Sequence, residues 1–141
     1  MRVYPSQDGK AAFVRLERGS DLLKSLNEAA VELGLEGATL QVVGAVEALK
    51  VAFYRQDTKE YETHEFDAPH EISGGVGNVS LKEGKPFVHI HVTGSGADGR
   101  AVAGHLVEGT RVFLIEAYFR DLGGPAPVRE EEDDLGLAVW Q

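Results

Sequence analysis

Pro86-Phe87-Val88-His89-Ile90-His91-Val92, then the Gly-, Ser- and Asp-rich segment Thr93–Arg100, then Ala101-Val102-Ala103-Gly104-His105-Leu106-Val107, reads as two strands and the turn that joins them. Side chains alternate faces along a strand, so Val88, Ile90 and Val92 share one apolar face while His89 and His91 share the other. The intervening residues let the chain reverse, which brings a returning strand and its His105 alongside the pair. Three neutral imidazoles, each about 2.0–2.1 Å from one point, suit Zn²⁺ and leave a fourth position for water, substrate or another ligand. Imidazole-rich sites also suit Fe, Ni or Cu, so His89, His91 and His105 read as ligands of Zn²⁺ or another divalent transition metal. The competing reading makes each of them a hydrogen-bonded, half-buried strand histidine that binds nothing.

Outward from this hairpin the pattern is mostly extended. Strands are predicted over 38–48, 50–55, 60–66, 70–73, 77–81, 87–93, 101–107 and 110–120, separated by charged or Gly-containing turns such as Gln56-Asp57-Thr58-Lys59 and Lys82-Glu83-Gly84-Lys85. Before them, Arg2–Pro5 and Ala12–Leu16 are predicted to form a hairpin around the polar turn Ser6-Gln7-Asp8-Gly9-Lys10. One helix interrupts the series: Ser20 caps it, Asp21 sits at its positive end, and Leu22, Leu23, Leu26, Ala29, Ala30 and Leu33 recur at helical spacing until Gly34 or Gly37. Many strands and one main helix predict a single α+β domain over residues 1–141 with a mostly antiparallel sheet. Gly123-Gly124-Pro125-Ala126-Pro127 reads as a linker, the acids Glu130–Asp134 as a solvated approach loop, and Leu135–Trp140 as a last strand.

A chain of 141 residues buries a proper core without disulfides or a structural metal, so a bound metal is expected to be functional. With no cysteine, thiolate sites and disulfide frameworks are excluded, and a reducing cytoplasm is the easy assignment. No signal-like segment and no run of about 18 apolar residues is present, so no membrane association is expected. The formal charge of −9, from 14 Lys plus Arg against 23 Asp plus Glu, disfavours unaided binding to a phosphate backbone. One Met and two Asn make the composition thermophile-like.

Glu116 is the one carboxylate in the apolar run Val112–Phe119, where it needs a partner. It reads either as an acid/base or orienting carboxylate beside the histidines, or as an edge or interface Glu paired with Arg. His64 and His70 have no ligand-like spacing and read as surface or turn residues. The glycines of Gly74-Gly75-Val76-Gly77 lack the Lys-Ser/Thr ending of a phosphate loop and read as a bulge or tight turn.

Glu71-Ile72-Ser73-Gly74-Gly75-Val76-Gly77-Asn78-Val79-Ser80, the Pro86–Val92 run, Ala103-Gly104-His105-Leu106-Val107-Glu108-Gly109 and Glu116 together resemble the PPC domain, the plants-and-prokaryotes conserved domain. The resemblance covers nearly the whole chain. It implies a compact α+β homotrimer with a metal near the subunit boundary on His89, His91 and His105, and with Glu116 and Asn78 among the nearby polar residues. In plants the domain follows AT-hooks, whence its provisional DNA-binding label, which implies DNA or a DNA-binding protein as partner. This chain has no Arg-Gly-Arg-Pro hook and no basic arm. Two functions are therefore expected: a regulatory homotrimer with a three-histidine metal site, or a metal-dependent small-molecule enzyme or sensor, similar to acetolactate decarboxylase in fold only. A third expectation is an interaction module whose histidines bind nothing.

Overall fold

The structure, a computed structural model, describes residues 1–141. The elements run β1 (Arg2–Pro5), β2 (Ala11–Arg15), α1 (Leu22–Glu32), β3 (Ala38–Arg55), β4 (Glu60–Phe66), β5 (His70–Lys82), β6 (Lys85–Ser95), β7 (Ala101–Leu106), β8 (Arg111–Asp121), β9 (Val128–Glu132) and β10 (Leu137–Trp140). All ten strands form one sheet ordered β1-β2-β8-β3-β7-β6-β5-β9-β10, with β4 added to β3 and a further pairing between β3 and β5. β3 thus meets β5 along its first half and β7 at Val51 and Ala52, so β3, β5, β6 and β7 close into a ring. The single domain with one helix is as expected, with one refinement. The sheet is mixed, because β9 joins β5 in parallel at Leu81 and Lys82.

Two pairs of strands predicted as separate are continuous. β3 runs 18 residues, absorbing the expected break near Leu49 as register shifts between Ala45 and Val46 and between Val46 and Ala48. β5 runs 13 residues through the glycine cluster, with a register shift between Ile72 and Gly74. The predicted bulge is therefore present, but two glycines answer a different demand. A Cβ on Gly75 would stand 2.5 Å from Val42 Cγ2, and one on Gly77 would overlap the His89 carbonyl oxygen and stand 2.7 Å from Ile90 Cβ. Only hydrogen fits there, and this lets β5 lie flat against β6.

Asp21, and not Ser20, caps α1. One carboxylate oxygen accepts from Lys24 N–H at 3.0 Å and the other from Gly109 N–H at 2.6 Å, while Ser20 Oγ donates to the Glu17 carbonyl. A carboxylate can serve two separated donors at once, one on each oxygen. The helix buries Leu22, Leu26, Ala29 and Ala30 against the sheet, and each of the two buried leucines contributes about 1.5–3 kcal/mol over an exposed position. Asn27 ties the helix to β6: its Oδ1 accepts from Val88 N–H at 3.0 Å. The acidic run is also ordered differently from expectation. Glu130–Glu132 belong to strand β9, paired with β10; all three are exposed, and Glu131 is held by Lys82 at 3.1 Å. No helix is long and apolar enough to cross a membrane.

Candidate metal centre

Val88, Ile90 and Val92 are buried in the core, so the pleat of β6 turns His89 and His91 to the other face. β7 returns with His105 directly opposite His91. The three rings stand 5.1–5.5 Å apart between centroids, and one potential ligand atom from each lies within 4.8 Å of the others. His89 and His105 are half-buried and His91 is exposed. His105 Nδ1 is buried with no hydrogen-bond partner, and the Tyr61 ring stacks on the same imidazole at 5.1 Å. A buried nitrogen without a partner is costly in a closed protein and is what a metal ligand looks like before its ion arrives.

The electrostatics favour neutral rings. Burial lowers the His105 pKa to about 4, with the charges of His89, His91 and Arg129 acting in the same direction. Burial, then Arg129, then His91 also lower that of His89. Both residues thus meet the metal as free bases at neutral pH without having to shed a proton. An all-imidazole set suits Zn²⁺ and the later first-row divalent ions.

The histidines line a cavity of about 820 Å³ together with Phe53, Tyr61, Phe87, Arg129 and Leu137. Sequence reasoning missed two of these. Tyr61 arrives from β4, and Arg129 arrives from β9, where it donates to Ser80 Oγ at 2.8 Å, the Ala138 carbonyl at 2.9 Å and Asn78 Oδ1 at 3.2 Å. The only signal for Arg129 was a lone cation between the Gly/Pro linker and the acids. Asn78, expected near the histidines, is there and holds this guanidinium.

Glu116 is not brought to the histidines. It is exposed on β8, opposite Arg15 of β2 and Val43 of β3, three strand spacings or about 14 Å from β6. The anticipated burial is absent because this face of β8 is open. Glu116 borders a separate depression of about 860 Å³ with Tyr4, Phe13, Val43 and Tyr118, which gathers no cluster of ligating side chains. His70 departs from the surface reading: it is buried, its Nδ1 is 2.9 Å from the Ala68 carbonyl, and it packs on Phe66. His64 is exposed, as expected.

One row of register partners, Phe13, Tyr118, Gln41, Val76, His91 and His105, crosses the open face of six strands. The histidine cluster ends that row, and apolar side chains precede it: Phe13 is 61% and Val76 69% exposed, with Val43 nearby at 49%.

The family model for the Plants and Prokaryotes Conserved (PCC) domain matches residues 4–122, which leaves β9 and β10 beyond the matched segment. Among solved structures, a metal-containing protein from Archaeoglobus fulgidus is similar over 100% of this chain and 99% of its own, with 38% identity and a TM-score of 0.89. A plant- and prokaryote-conserved protein from Pyrococcus horikoshii shares 30% identity over 99% and 94% of the two chains, with a TM-score of 0.88. A protein from Bacteroides thetaiotaomicron, provisionally described as DNA-binding, shares 27% identity over 99% and 96%, with a TM-score of 0.90. No curated protein matches the chain.

Proposed function

The chain belongs to the Plants and Prokaryotes Conserved domain family, and from that premise we propose that it is a cytoplasmic homotrimer that holds a divalent transition metal, Zn²⁺ first, on His89, His91 and His105 and presents it to a small molecule. One observation carries the reading: three imidazoles converge within 4.8 Å at the edge of a cavity of about 820 Å³ with aromatic walls. Such a concave, largely apolar site with a few convergent polar groups suits a small-molecule ligand better than a nucleic-acid backbone. The orphaned His105 Nδ1 and the metal-containing relative at 38% identity support the metal.

A bound Zn²⁺ would polarise a carbonyl or activate water in the cavity. This chain's own residues would hold and orient: His89 and His105 stay unprotonated, Tyr61 stacks on His105, and Arg129 keeps positive charge at the wall. In the enzyme version of this reading Glu116 moves a proton only from a neighbouring copy, since within its own chain it stands on β8, outside the cluster on β6 and β7. The exposed Phe13, Val43 and Val76 support assembly through that open face. A regulatory role through a DNA-binding partner is the second reading, supported by the description of the Bacteroides relative; the charge of −9 assigns the DNA contact to the partner.

Elemental analysis combined with solution mass tests the proposal. About one metal ion per chain and three times the 15.2 kDa chain mass are expected, and His89→Ala with His91→Ala should abolish the metal. Stoichiometric metal persisting in the double variant, or a monomeric mass, would refute the corresponding half.

A further inference from the structure

Two cations line the histidine cavity, and only one is neutralised. Lys82 pairs with Glu131 at 3.1 Å, whereas Arg129 has no carboxylate within 4.0 Å. Three of its hydrogen bonds go to neutral oxygens, those of Ser80, Asn78 and Ala138, and a fourth, long one goes from Nη2 to His89 Nδ1 at 3.5 Å. Its guanidinium is half-buried and flanked by Phe87 at 5.3 Å and Trp140 at 5.6 Å. A partly desolvated charge is expensive to keep without a counter-ion. Here three acceptors and two ring faces fix it in place. A guanidinium has five N–H donors, and with four engaged one on Nη1 remains for something else.

We propose that Arg129 anchors an anion subsite beside the three histidines, taking the carboxylate of a small monocarboxylic acid whose apolar body lies along the cavity wall. The inference rests on reading the cavity as a metal and ligand site. The remaining Nη1 N–H can donate a charge-assisted hydrogen bond to one carboxylate oxygen, with the fixed positive charge beside it. Phe53, Leu137 and Val139 supply apolar wall, and the cavity of about 820 Å³ holds a small molecule. A dianion such as phosphate is disfavoured by Glu131 in the same wall and by the net charge of −9. Because Arg129 and Trp140 both belong to the β9–β10 hairpin, this subsite is contributed by a segment outside residues 4–122.

Butyrate, its neutral isostere butyramide, and inorganic phosphate are the probes, titrated into the purified full chain by calorimetry and by fluorescence of Trp140, the only tryptophan. Butyrate should bind at least tenfold more tightly than butyramide. Arg129→Gln should lose at least tenfold in butyrate affinity with metal content unchanged, and Arg129→Lys should fall between. Equal binding of butyrate and butyramide, wild-type affinity in Arg129→Gln, or Arg129-dependent binding of phosphate alone would overturn the proposal. A wild-type protein without metal that still binds butyrate through Arg129 would sustain the subsite and remove the metal reading. Metal retained without Arg129-dependent butyrate binding would do the reverse. Should Arg129→Gln not fold, the wild-type contrast of butyrate with butyramide decides.

Discussion

Gly77→Ala is a substitution of one methyl group that should reach the metal site through the backbone. The new Cβ would meet the carbonyl of His89 and stand 2.7 Å from Ile90 Cβ and 2.8 Å from Ile90 Cα. Ordinary carbon–carbon contact begins near 3.5 Å, so β6 must retreat by about 1 Å from β5. The obstacle is backbone and a Cβ, neither of which can rotate away. Overpacking of this kind costs about 1–3 kcal/mol, and a backbone obstacle puts the expected loss near about 3 kcal/mol. For a chain of this length that is a fall of about 10 °C in Tm, measured at equal protein concentration because association contributes to the apparent stability. The strand that moves carries His89, so metal affinity should weaken by about 10–100-fold, the scale seen when the support of a ligand is disturbed. Gly74→Ala is the internal control: a Cβ there meets nothing within 4 Å, and stability should change by less than about 0.5 kcal/mol. Denaturant midpoints and metal titrations on the two variants decide the matter. If Gly77→Ala matched Gly74→Ala in both, the close-approach account of the β5 glycines would be refuted.

Acidification of the metal-free protein should expose His105. Above pH 6.5 neither state carries its proton; between 6.5 and about 4 the unfolded chain takes one up and the folded chain does not, so stability is lost as pH falls and levels off below 4. Water at the half-exposed ring limits the loss to about 1–2 kcal/mol, and His105→Gln should flatten that part of the urea-midpoint profile; identical profiles would remove the linkage. Purified protein should leave a DNA duplex unshifted even at low salt, given the charge of −9, and a salt-sensitive shift would restore direct contact.

The hairpin carrying the histidines was legible because it is local. Alternation of Val88, Ile90 and Val92 with His89 and His91 encodes the faces, and the polar segment before Ala101 encodes the reversal. The helix was legible for the same reason, though its cap moved from Ser20 to Asp21 once Gly109 N–H, remote in sequence, needed an acceptor. What was hidden depends on approach between distant segments. The glycines of β5 look like turn formers until β6 and β3 crowd them, and the acids of β9 look like a loop until β10 pairs with them. Arg129 reaches Ser80, Asn78 and the histidines only because β9 lies parallel to β5. The exposure of Glu116 was hidden because an apolar run does not say whether its second face is covered.

All three imidazoles of the cluster belong to one β-hairpin, although the sheet around them depends on β3 pairing with strands as remote in sequence as β8. A fold built on such distant pairings assembles slowly, whereas a hairpin forms in microseconds. An ion can therefore clip β6 to β7 in a chain whose sheet is still open. Metal that binds the incomplete chain as well as the finished one stabilises the native state by less than its affinity alone would give. On the proposed metal reading, the ion would guide register early in folding more than it would lock the completed structure.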